Sequence, residues 1–188
     1  MRGRLPALLT LVTLTVAPLG GQGAGQAGAP VPDWHRAHLE YMSRGSGQWA
    51  TSNDAYRSEA EPATEYVLEF GLSFDGDSMF GRLYAQTNGQ RGVTLWEYRT
   101  HWDAGAATAI VQQFGWESAS GRGELVPAGN DAFHLEQVVS TPGLPSRVEG
   151  HMLTIIDENT HRTEAYGLDA AGTRVPTRSY TWVRQPVL

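Results

Sequence analysis

The chain contains no cysteine. Disulfides and thiolate metal sites are therefore excluded, and so is lipid attachment through a lipoprotein-type cysteine. Stability has to come from a packed core. Lysine is missing too: all 14 basic residues are arginine. That excludes Schiff-base and lysine-nucleophile chemistry, and a GC-rich coding bias explains it. No basic run occurs, and the formal net charge is −6, a poor match for nucleic acid or an anionic lipid surface. After the leader, no apolar stretch reaches the roughly 20 residues that span a bilayer. G-x-S-x-G, H-E-x-x-H, P-loop and Rossmann patterns are all absent. No catalytic residue and no cofactor is assigned, and a non-enzyme is favoured over an enzyme.

What is present begins with a leader. Arg2 and Arg4 precede an apolar run from Leu5 to Val16, and a small, Gly-rich segment follows. These are the three parts of a secretory signal. Ala27-Gly28-Ala29 fits the small-x-small rule, so cleavage is expected after Ala29, with Ala27 as the alternative. Loss of Arg2 and Arg4 takes the formal charge from −6 to −8. The expected division is a signal peptide over 1–29 and a single β-barrel domain over 30–188, periplasmic or secreted.

Residues 33–43 predict the one helix. Trp34, Ala37, His38, Tyr41 and Met42 share a face at helical spacing, Pro32 and Asp33 supply a start, and Gly45 a stop. Beyond it the period changes to two. Strands are predicted over 48–56, 65–74, 79–86, 93–102, 108–117, 123–126, 132–139, 147–156, 162–168 and 179–184. Turn residues such as Asp75-Gly76, Asn88-Gly89 and Pro142-Gly143 separate them. About ten antiparallel strands with short links predict an all-β, up-and-down barrel, because closure removes exposed edges.

Apolar burial is worth about 25 cal/mol per Å² and charges resist burial, so the aromatic face of each strand is expected inside. That places Trp96, Tyr98 and Trp102 inward, with Glu97, Arg99 and His101 outward. It likewise places Ile110, Gln112, Phe114 and Trp116 inward, and Phe133 and Leu135 opposite His134 and Glu136. Val148, Met152 and Ile156 are expected inward, opposite Glu149 and His151.

The short helix leading into Gly47-x-Trp49, the strands, and the closing Tyr180-Thr181-Trp182-Val183-Arg184 together resemble the calycin-like β-barrels: lipocalins, fatty-acid-binding proteins and nitrobindin-like proteins. More closely, the layout is similar to a bacterial family of exported proteins of unknown function. The resemblance runs from about Asp33 to Arg184. It implies that Trp49 closes the barrel floor with Arg184 packed on its ring, and Trp182 joins this closure. It also implies a small ligand in the lumen.

His35-x-x-His38 could place two ligands together on the helix, but a metal site needs three or four donors, so none is assigned. One of the pair is expected exposed and the other packed on the barrel. His101, His134 and His151 fall on the charged faces, and no haem motif is present. Glu97, Arg99 and His101 read as a solvated outer stripe. Phe70, Phe80, Tyr84, Trp96, Tyr98, Phe114 and Trp116 are either packed core or the lining of a pocket. Arg82, between Phe80 and Tyr84, is either an internal cation for an acidic partner or a solvated residue with Leu83 and Ala85 inward. If Arg82 is internal, the ligand has an apolar body and a carboxylate head. Three functions follow: a barrel binding a small apolar or amphipathic molecule, a barrel enzyme of isomerase or cyclase type, or a ligand-free structural or interaction module. Oligomeric state is left open.

Overall fold

A computed structural model describes residues 28–187. Helix α1 (Asp33–Ser43) is followed by ten strands: β1 (Gln48–Ser52), β2 (Glu65–Ser73), β3 (Ser78–Thr87), β4 (Gln90–Asp103), β5 (Thr108–Gly115), β6 (Ser120–Pro127), β7 (Ala132–Ser140), β8 (Arg147–Asp157), β9 (Thr160–Leu168) and β10 (Arg174–Arg184). Each strand pairs antiparallel with the next. β1 closes the ring on β10 through Trp49↔Arg184 and Ala50↔Val183. The described residues thus form a closed ten-stranded antiparallel barrel with one short helix. Closure leaves no unpaired strand edge.

The strand limits depart from expectation where the chain breaks the simple pattern. β1 stops at Ser52, and residues 53–64 form a long loop. β10 starts five residues earlier than expected, at Arg174. Pro176 is tolerated there because the β9–β10 register shifts between Pro176 and Arg178, where the ladder is already broken. β6 begins three residues before the expected start at Gly123, at Ser120, and its Gly121 and Gly123 lie against Gln137 of β7.

The helix occupies the span its periodicity predicts. Asp33 sits in its first turn, where the helix dipole favours a negative charge. His35, His38, Leu39, Tyr41 and Met42 are its buried residues. α1 packs on the end of the barrel where β2 meets β3, against a short 3-10 turn at Phe74–Gly76. The turns at 104–107, 128–131 and 158–159 are at this same end, the floor. The loops at 53–64, 88–89, 116–119, 141–146 and 169–173 surround the opposite, open end.

Gly47 shows why the link from helix to barrel is glycine. Its φ is +66°, and a Cβ there would stand 2.2 Å from the Phe70 carbonyl oxygen. The Phe70 amide meanwhile donates to the Gly47 carbonyl at 2.8 Å.

Of the expected leader, only Gly28 and Ala29 are among the described residues. The Ala29 amide donates to the Ala104 carbonyl at 2.9 Å, and Trp102 Nε1 donates to the Ala29 carbonyl at 2.9 Å. No helix among the described residues is long and apolar enough to cross a membrane.

Candidate ligand-binding cavity

The floor is built first. Trp49 is 0% exposed, and its Nε1 donates to the Met42 carbonyl at 2.9 Å. The Arg184 guanidinium lies over its ring at 3.9 Å. Arg184 also donates to the Arg44 and Tyr41 carbonyls at 2.6 and 2.7 Å. One residue thus ties the last strand to the end of α1. Trp182 is buried beside this unit, its Nε1 donating to Thr163 Oγ1 at 2.8 Å.

Above the floor lies a cavity of about 740 Å³. His38 and Met42 of α1 contribute to its base, and Leu68, Phe70, Leu83, Tyr98, Val111 and Leu135 to its walls. Two wall aromatics lie flat over glycines. Cβ atoms on Gly81 and Gly115 would stand 2.3 and 2.7 Å from the rings of Phe70 and Trp96. Of the sequence-selected residues, Phe70, Trp96 and Tyr98 line the cavity, as does Trp182.

The others do not. On β3 the inward row is Met79, Gly81, Leu83 and Ala85, so Phe80, Arg82 and Tyr84 are on the outer wall. The aromatic rule failed because the outer wall has its own means of covering rings. Phe80 covers Gly71. Tyr84 is buried against Ala50 and Val67, with the Arg91 guanidinium 3.9 Å over its ring. Arg82 faces Glu69 at 3.3 Å. The same reversal holds on β5, where Ala109, Val111 and Gln113 point inward. Phe114 is 53% exposed, and Trp116, in the turn at the open end, is 65% exposed. On β8 Glu149, His151 and Leu153 face the lumen, while Met152 and Ile156 face out. Glu149 can face inward because Arg147 neutralises it, and His151 because burial lowers its pKa and favours the neutral ring. β7 keeps the expected phase, with Phe133 and Leu135 buried. On the outer wall His134 Nε2 and Glu136 Oε2 share the Tyr166 hydroxyl, at 2.6 and 2.9 Å.

The polar groups around the lumen form two zones. At the open end, Arg178 is held in a fork by Glu61 of the 53–64 loop, at 2.5 and 2.6 Å. It also donates to the Tyr180 hydroxyl at 3.0 Å, which in turn donates to Asn53 Oδ1 at 3.1 Å. Tyr66 donates to the same Glu61 carboxylate. The hydrogen bonds from Arg178 pull the Glu61 pKa down to about 2. Across the opening, Arg147 Nε binds Glu149 Oε1 at 2.7 Å.

At the floor the polar groups are imidazoles. His38, 6% exposed, packs on Phe133 with ring centres 4.5 Å apart. His161, 0% exposed, sits between Trp49 and Trp182. Both contribute to the cavity lining. Burial pushes both pKa values from 6.5 down to about 3. His35 adds to the effect at His38, and His38 and Arg184 add to it at His161. His35 is also buried, against Trp34 and Trp102, so neither helix histidine is exposed. Among the described residues no three His, Cys, Asp or Glu come together as a metal site.

His161 was legible in principle. Arg162 and Glu164 alternate as outward charges, which sets 161, 163 and 165 inward. Glu61 was not: it lies 117 residues from Arg178 in sequence, in a loop without periodicity.

The closed barrel is compatible with a calycin-like architecture. No protein-family model matches the chain, and no curated protein matches it.

Proposed function

We propose that this chain is an exported β-barrel of calycin-like type that binds a small, mostly apolar molecule in its lumen. The observation that carries the reading is the cavity of about 740 Å³. It falls in the range of roughly 300–1,000 Å³ typical of small-molecule sites, and like them it combines apolar walls with a few fixed polar groups. A ligand-free module would instead fill its lumen with side chains. Titratable groups also face the lumen, but Glu149 is engaged by Arg147, so no acid–base pair with His151 supports the enzyme reading. Export is supported by the order of charged, apolar and small segments in the leader.

Native mass spectrometry of the exported protein tests both halves. The expected spectrum begins near Gly28 or Pro30 and carries a bound small-molecule mass. Ala165 faces the lumen, so Ala165→Trp should fill the cavity and lose that mass while the barrel still folds. A soluble cytoplasmic protein retaining Met1 would overturn export. Absence of any bound mass, together with no binding of apolar fluorescent probes, would overturn the lumen reading.

A further inference from the structure

The charges around the lumen cancel, and its deep polar groups are uncharged. Arg178 is neutralised by Glu61 and Arg147 by Glu149, all toward the open end. Along the walls, Tyr98, Thr100, Gln113 and Thr163 are polar without charge; burial pushes the Tyr98 phenol pKa up, which keeps it protonated. At the bottom, His38 Nδ1 and both ring nitrogens of His161 have no hydrogen-bond partner among the described residues. A buried polar atom without a partner costs about 1–3 kcal/mol. These three nitrogens have almost no accessible surface, so a ligand meets the imidazole floor through the exposed part of the His38 ring. His38 is the accessible member of the pair: it is 6% exposed, against 0% for His161.

A carboxylate brought to this depth would meet no cation on the cavity lining there, since Arg184 lies over the Trp49 ring with its guanidinium bonded to the Arg44 and Tyr41 carbonyls. Its desolvation costs several kcal/mol, whereas a hydroxyl, carbonyl or amide carries a far smaller penalty. An imidazole ring can either donate to or accept from such a group.

Building on the lumen-binding reading, we propose that the cavity takes an uncharged molecule, apolar along its length. It enters polar end first, hydrogen-bonds His38 on the floor, and is preferred over the matching carboxylate.

The test titrates pyrene-labelled hexadecanol and pyrene-labelled hexadecanoic acid against the full exported protein at neutral pH. The alcohol should bind about tenfold or more tightly than the acid. His38→Leu should weaken the alcohol by roughly two- to tenfold and leave the acid unchanged. Arg82→Met, on the outer wall, should change neither. Glu61→Gln, which frees Arg178 at the opening, should raise the affinity for the acid but not for the alcohol. Equal binding of the two probes by wild type, or tighter binding of the acid, overturns the proposal. So does an alcohol preference that His38→Leu leaves untouched. If His38→Leu does not fold, the imidazole nitrogen signals of His38 in wild type read the same contact, and signals unmoved by saturating alcohol overturn it. Binding of neither probe, with no bound mass in the native spectrum, is a different result. It removes the lumen-binding reading itself, and the proposal with it.

Discussion

Acid should loosen this barrel from the floor, beginning below pH 6.5. His38 and His161 have pKa values of about 3 in the folded protein against 6.5 for an unperturbed imidazole. The unfolded chain therefore takes up two protons below pH 6.5 that the native state refuses. The groups facing the pair reinforce this. His35 lies beside His38 on the same helix and Arg184 approaches His161 from β10, and both disfavour protonation. Both folded values lie below the unfolded one, so the stabilisation is complete above pH 6.5 and is lost as pH falls toward 3. One proton per site corresponds to about 1.4 kcal/mol per pH unit. At pH 5 each histidine should cost about 2 kcal/mol, and the two about 4 kcal/mol together. Against a typical stability of about 5–15 kcal/mol, that is a large fraction.

The measurement is a set of urea unfolding curves between pH 7.5 and 5, for wild type and for a His38→Leu/His161→Phe variant. Wild type should lose stability steeply across this interval, with a slope that exceeds the variant's by close to two protons at the acid end. The variant should be clearly less steep, keeping only the slope from His35 and His151, whose pKa values burial also lowers. Glu61 does not confuse the result. Its folded pKa of about 2 lies below the ordinary 4.5, so its contribution is present above pH 4.5 and is lost only below it. Equal slopes for wild type and variant between pH 6.5 and 5 would refute the assignment of two buried neutral imidazoles.

Two further perturbations address the two ends of the barrel. Trp49→Ala removes the fully buried ring on which Arg184 packs and should cost about 3–5 kcal/mol. Arg184→Ala should cost less, about 1–3 kcal/mol, through the lost bonds to the Arg44 and Tyr41 carbonyls; chemical denaturation of both variants checks the order, and an unchanged midpoint for Trp49→Ala would remove its closing role. Arg178→Met releases the 53–64 loop from the opening and should cost about 1–2 kcal/mol, near the top of the range for partly exposed ion pairs because the contact is a bidentate fork. Hydrogen exchange of the 53–64 amides should rise in that variant while the β5–β7 amides stay protected; uniform acceleration would mean that the pair holds the whole barrel.

The barrel, the helix and most strand limits were legible in the sequence because period, turn residues and the Gly47-x-Trp49 link are local signals. The direction each strand faces was only partly legible. On β4 and β7 the aromatic and apolar residues that set the phase do point inward. On β3 and β5 the inward row is made of smaller residues, and the rings of Phe80, Tyr84 and Phe114 lie outside. A ring can leave water over a glycine on the next strand, as Phe80 does over Gly71, and nothing within its own strand reports that partner. Only the register of neighbouring strands does, and register is a property of the closed sheet.

This reversal changes the chemistry the lumen can offer. With Arg82 inside, the cavity would hold a cation midway along its wall and would suit a fatty-acid-like head group. With Arg82 outside, paired with Glu69 at 3.3 Å, the arginines at the lumen are those of the open end, and each already has its carboxylate. What remains for a ligand to satisfy lies at the opposite end, on the imidazoles beneath the cavity. The residues that favour an uncharged ligand are thus the same residues that make the floor sensitive to acid. A polar group bound at His38 would stabilise the neutral ring, so an uncharged ligand should shift the acid transition to lower pH. A ligand whose head group rests at the open end would leave that transition where it was.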